Sequence, residues 1–231
     1  MRTMKIISVS VLWGGLLTWS ASTAVAQIGQ EEFTLVNPTS KAKLWAAVFY
    51  PADAGREKKY PAVVFVPGGV GFGSGMARTP LSRDLTRAGF VLGLFDPDGR
   101  GRSEGKEDFN GKVHQDGLHA FLKHVADLPQ VQKDNIGVFS NSLGLAMAAG
   151  ALGRYPDDPK VKYFIDEEGP SDRFYITKWD SPRFRLAWHS TKDEEWWAER
   201  EAVRSIKQVR CAYLRIQREL DQRFKALGVQ N

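Results

Sequence analysis

The residues best suited to chemistry in this chain surround one serine. Residues 136–139, Ile-Gly-Val-Phe, form a short apolar run that passes directly into Ser140-Asn141-Ser142-Leu143-Gly144. From 143 to 152 the residues are almost all small or apolar. A strand that turns sharply into a helix at a serine holds that hydroxyl at the apex of the turn. The geometry requires small residues two before and two after it, so that strand and helix can approach each other. Gly144 meets this demand, and Ser140, where a glycine is usual, is small enough. This reading puts Ser142 rather than Ser140 at the apex, as a nucleophile for acyl transfer. The plainer alternative is that Ser140 or Asn141 caps the following helix.

A nucleophile of this kind needs donors for the charge that develops on the attacked carbonyl. Pro67-Gly68-Gly69-Val70-Gly71 follows the apolar run 62–66, Ala-Val-Val-Phe-Val. The backbone N–H of Gly69, with that of Leu143 next to the serine, would form an oxyanion hole. Glycines let a backbone come that close. A plain glycine-rich loop or a phosphate cradle is the alternative. The chain contains no G-x-G-x-x-G and no G-x-x-x-x-G-K-[ST], so no nucleotide cofactor is implied.

The elements that must position these groups follow from the pattern. Runs at 62–66, 91–95, 136–139, 161–165 and 212–216 are short, continuous and rich in β-branched and aromatic residues, as suits strands buried on both faces. Residues 33–36 and 44–50 read as antiparallel starter strands. Thr79-Pro80 marks a helix start and Gly89 a helix end. Leu118, Phe121, Leu122 and Val125 repeat at helical spacing. Thr191 and Glu194 suggest a capping box for a helix running to about 207. The strand–helix alternation predicts an α/β domain with a mostly parallel central sheet flanked by helices.

Residues 44–221 resemble the α/β-hydrolase superfamily, most closely its dienelactone-hydrolase and prolyl-oligopeptidase-like branches. The resemblance rests on the glycine loop, the turn at Ser142 and the segment Asp96-Pro97-Asp98-Gly99-Arg100-Gly101-Arg102-Ser103-Glu104-Gly105, similar to the family's D-x-R-G-x-G-x-S-x-G. It also rests on Gln217-Arg218-Glu219-Leu220-Asp221, similar to G-E-x-D with Arg218 in place of glycine. It implies a serine hydrolase acting on small-molecule esters or peptides through an acyl-enzyme, with Asp221 as the acid that orients the triad histidine. From the residues alone, Asp221 is only an acidic loop residue. No cysteine stands at the turn, so the cysteine nucleophile of true dienelactone hydrolases is absent.

The resemblance also implies a histidine after Asp221, and none occurs in the ten residues that follow it. The expectation is a fold lacking its last strand, last helix and base. Such a chain is either an inactive fragment of a working hydrolase, or a non-catalytic hydrolase-fold binding module, or an enzyme with an unusual base such as His189. His114, His119 and His124 are spaced by five, which turns 140° per step on a helix, so they share no face as metal ligands would. Asp166, Glu167, Glu168 and Asp172 read as a solvated strand end, and no metal site is expected.

Four tryptophans, Trp179, Trp188, Trp196 and Trp197, concentrate in a segment near 171–207. They suit either a cap over a hydrophobic acyl pocket or plain packing against the core. The single cysteine, Cys211, excludes an internal disulfide and paired-cysteine zinc sites, and reads as the start of a buried strand.

Arg2 and Lys5, the apolar stretch 6–19 and Ala24-Val25-Ala26 together predict a signal peptide cleaved after Ala26. The apolar stretch is short for a bilayer span, so no stable membrane anchor is expected after cleavage, and the product would be periplasmic or secreted. The whole chain carries a formal charge of +5. Without Arg2 and Lys5, 30 basic residues face 27 acidic ones, with no block of like charge, and nothing favours nucleic acid as a partner.

Overall fold

The computed structural model describes residues 28–177 and 189–217. The expected signal segment, Trp179, Trp188 and Asp221 lie outside them.

Seven strands alternate with helices: β1 (Gly29–Val36), β2 (Lys43–Tyr50), β3 (Tyr60–Val66), α1 (Gly73–Met76), α2 (Pro80–Arg87), β4 (Val91–Phe95), α3 (Lys112–Asp127), β5 (Val131–Asn141), α4 (Gly144–Arg154) and β6 (Tyr163–Glu167). Then come α5 (Arg173–Thr177), α6 (Glu194–Ala198), α7 (Ala202–Ser205) and β7 (Ala212–Ile216). The strands form one sheet in the order β1-β2-β4-β3-β5-β6-β7. β1 and β2 enter antiparallel, and every pairing from β4 to β7 is parallel. The mostly parallel α/β sheet read from the apolar runs is therefore the observed one.

Strand alternation sends the core to both faces. Val64 of β3 and Val91 and Phe95 of β4 join Phe121 of α3 and Met147 of α4 in one cluster. Phe65, Leu92 and Leu94, the intervening residues, pack with Trp45 and Phe49 against Leu81 and Leu85 of α2. At Gly93 an added Cβ would sit 3.1 Å from the Phe121 ring, tighter than ordinary contact. α2 starts as its sequence suggests, with Thr79 as N-cap, Pro80 in the first turn and Gly89 at φ +85° beyond its end.

Three expectations are corrected. Residues 212–216 form an edge strand whose five residues are all exposed, because β7 has a partner only in β6 among the described residues. Cys211 just before it is half-buried against the main core, and burial pushes its thiol pKa up. The helix expected from Thr191 to about 207 is instead α6, α7 and a 3-10 turn at Ile206–Gln208. Asp193, not Thr191, caps α6, accepting the Trp196 N–H at 3.0 Å, and Glu201 interrupts the run by turning its carboxylate to Arg173.

Candidate active site

β5 ends at Asn141 and α4 begins at Gly144, leaving Ser142 and Leu143 to make the whole turn. Ser142 takes φ +51°, a left-handed conformation that L-residues enter at a cost and that marks a functional turn. Two contacts enforce it. The Ser142 N–H donates to Glu167 O at 2.8 Å, tying the turn to the end of β6. Gly144 lies so close to β3 that a Cβ there would stand 2.6 Å from Val66 O. The position two before the serine is equally tight: Ser140 is fully buried, and its hydroxyl has no hydrogen-bond partner among the described residues. Ser142 is thus at the apex, and neither Ser140 nor Asn141 caps α4, whose N-cap position is Leu143.

The glycine loop lies directly against this turn. A Cβ on Gly68 would meet Ser142 Cβ and Asn141 O, both at 2.7 Å. Gly68 itself, not singled out by the motif, is therefore the residue that permits the approach. Gly71 N–H closes the loop on Gly68 O at 2.9 Å, and Gly69 adopts φ +59°. Among the described residues, neither the Gly69 N–H nor the Leu143 N–H has a hydrogen-bond partner. Two unspent donors flanking a strained serine are the parts from which an oxyanion hole is made.

The segment from Asp96 to Gly105 braces the loop from behind. Buried Asp96 accepts from Ser74 N, Ser74 Oγ and Arg102 N, each at 2.7 Å. Gly99, Gly101 and Gly105 all have positive φ, and a Cβ on Gly101 would run into the Asp96 carboxylate. Buried Arg100 grips Glu107 at 2.6 and 2.8 Å and extends towards Gly71 O at 3.4 Å.

Between this brace and the serine turn lies a feature the sequence reading missed. Asn110, buried at φ +67°, donates from Nδ2 to Leu143 O at 2.9 Å. Its own N–H meets His114 Nδ1 at 3.2 Å, and its carbonyl accepts from Gln115 Nε2 at 3.1 Å. His114 Nε2 lies 2.9 Å from Asp98 O and 3.2 Å from the Asp108 N–H, and the tautomer protonated at Nε2 serves the Asp98 and Asn110 bonds. Burial holds the His114 pKa down at about 3.

All four histidines of the sequence are among the described residues, and each is engaged away from Ser142. His114 is buried as above. His119 stacks on Tyr155 with centroids 3.7 Å apart and meets Asp158 at 3.3 Å. His124 packs on Phe33. His189 lies 2.8 Å from Asp193 and stacks on Trp196. Of the acids, Asp166 is fully buried rather than solvated. It accepts from Tyr213, Arg215 and the Gly169 N–H, and burial raises its pKa. Asp221, the expected triad acid, falls outside the described residues. Among the described residues no group of three or more His, Cys, Asp or Glu side chains could hold a metal ion.

The tryptophan segment packs beside the serine turn. Trp197 is fully buried against Leu143 and Ile176, and its indole N–H donates to Ser190 O at 2.9 Å. Trp196 lies under the Arg200 guanidinium at 4.1 Å and beside Phe109. Arg200 in turn holds Asp108. These two rings pack beside the serine turn; Trp179 and Trp188, the other two of the segment, lie outside the described residues.

No family model matches the chain, and no curated protein matches it in sequence. Solved structures do match. Dipeptidyl peptidase 4 from Porphyromonas gingivalis aligns with a TM-score of 0.64 at 19% identity, over 81% of this chain and 27% of its own. An acylaminoacyl peptidase from Pyrococcus horikoshii gives 0.63 at 16%, over 84% of this chain and 32% of its own. Acetyl xylan esterase 1 from Thermoanaerobacterium gives 0.59 at 16%, over 82% of this chain and 72% of its own. The chain therefore spans about a third or less of the peptidases it matches. This is the α/β-hydrolase fold.

Proposed function

We propose that this chain carries the nucleophile and oxyanion donors of a serine hydrolase acting on ester or peptide bonds. The observation that carries the reading is the turn itself: Ser142 at φ +51° between β5 and α4, with Gly68 against it. Ser142 attacks the carbonyl, and the Gly69 and Leu143 N–H groups receive the oxyanion. The fold is shared with proteins named as peptidases and an esterase, which supports hydrolysis as the reaction class. Asp221 is the proposed acid. We further propose export, with cleavage after Ala26, on the basic-apolar-small pattern of residues 1–26.

The base is the part left unassigned. A serine hydroxyl is a weak nucleophile at neutral pH until an adjacent base takes its proton. Each of the four imidazoles of these 231 residues is engaged with other partners, so none of them, as placed, is the proposed base. The same observation favours a second reading, a non-catalytic hydrolase-fold module that binds a ligand without turning it over.

Chemical rescue separates the two. The chain is assayed with a p-nitrophenyl ester, with and without free imidazole, and the imidazole-only rate is subtracted. The hydrolase reading predicts turnover only when imidazole is present, and none in Ser142→Ala. A rescued rate identical in Ser142→Ala, or no rescue at all, favours the binding module.

A further inference from the structure

We infer that Asn110 is a positioning residue for the oxyanion donor at Leu143, an assignment that rests on Ser142 being the nucleophile. Leu143 is restrained on two sides already: the Ser142 N–H is held by Glu167 O, and the Leu143 side chain is packed against Ile176 and Trp197. Its carbonyl receives the Ala146 N–H at only 3.2 Å, the long end of the normal range. Asn110 Nδ2 supplies the shorter bond, 2.9 Å, in a buried setting. The N–H and C=O of one residue pivot about the same Cα. Fixing the Leu143 carbonyl therefore limits where its N–H can aim.

The way Asn110 is held points to the same role. It follows Phe109 at φ +48°, so two successive non-glycine residues occupy the left-handed region. Its Oδ1 is buried with no hydrogen-bond partner among the described residues. An asparagine that served packing alone would satisfy both ends of its amide. Here the acceptor end is left unpaired so that the donor end reaches Leu143. Strain and an unpaired acceptor, gathered on one residue that touches the oxyanion donor, fit positioning for function better than stabilisation.

Asn110→Gly tests this, because glycine keeps the left-handed backbone and both backbone hydrogen bonds and deletes only the amide. Ser142 phosphonylation by a fluorophosphonate is followed by intact mass in the presence of imidazole, giving kinact and KI. We expect kinact to fall about tenfold, less than the loss of a whole oxyanion donor, with KI within about twofold. We also expect faster hydrogen exchange at the Leu145 and Ala146 amides, which donate to Ser142 O and Leu143 O, with that of β5 unchanged, a readout that needs no activity. A labelled wild type with the same kinact in Asn110→Gly overturns this assignment alone. A wild type never labelled at Ser142 overturns the nucleophile reading and this assignment with it. Unchanged exchange overturns the anchoring of Leu143.

Discussion

Around Ser142, position is enforced by backbone contact; in the tryptophan segment, by charge. Gly68 and Gly144 sit where an added Cβ would meet neighbouring atoms at 2.6 to 2.7 Å, and Ser142 is pressed into a left-handed conformation between them. In the segment beside it, Arg173 and Glu201, both nearly inaccessible, form paired 2.8 Å hydrogen bonds. Glu201 also binds Arg204, and Arg200 bridges to Asp108 across 92 residues. Steric enforcement leaves few ways to misplace an atom, as oxyanion donors require. Ion pairs tolerate small shifts, and suffice to seat Trp197 on Leu143. One region holds the proposed chemistry, and the other braces it.

The contrast breaks most sharply at Gly68. Gly68→Ala puts a methyl group against Ser142 Cβ and Asn141 O. The loop must then retreat, taking the Gly69 donor with it. We expect Ser142 labelling to slow by about 10²-fold, comparable to losing one oxyanion donor, in a domain that is destabilised but still folds cooperatively. An unaltered rate would mean the loop plays no part in the chemistry.

Charge removal in the brace should do the reverse, costing stability more than rate. Glu201→Ala leaves the Arg173 guanidinium buried with Glu194 as its remaining carboxylate partner. Breaking such a pair lowers the melting temperature by about 5 °C for a domain this size. Thermal unfolding followed by circular dichroism measures it, and a shift below about 2 °C would rule out this role.

The smallest expected effect concerns His114. Its folded pKa is held at about 3 by burial, against an ordinary 6.5. The unfolded chain therefore binds the proton first, so the neutral histidine's contribution is complete above pH 6.5 and is lost as pH falls towards 3. The loss amounts to about 1.4 kcal/mol per pH unit. Urea unfolding at pH 7, 6 and 5 reads it directly, and a flat profile would mean His114 is accessible to protons in the fold.

The sequence made the steric region far more legible than the charged one. Apolar runs such as 62–66 and 91–95 and the small residues flanking Ser142 leave a local pattern, so the sheet and the serine turn could be read directly. Asn110 and Leu143 are 33 residues apart, and a single hydrogen bond between them leaves no periodic trace. Gly68 was passed over for Gly69 because a motif shows which residues are small, not which one the serine touches. Residues 212–216 look like a buried strand because an apolar run does not reveal an exposed sheet edge. Asp166 reads as solvated in the sequence because its partners Tyr213 and Arg215 lie 47 and 49 residues later.

The central claim is that Ser142 is the nucleophile of a preformed oxyanion site. Its most direct test is the intact mass and peptide map of the chain after fluorophosphonate treatment with imidazole present. The account predicts one covalent adduct, on Ser142, slow to form without imidazole and absent from Ser142→Ala. An adduct mapped to another residue, or one that survives Ser142→Ala, would contradict it.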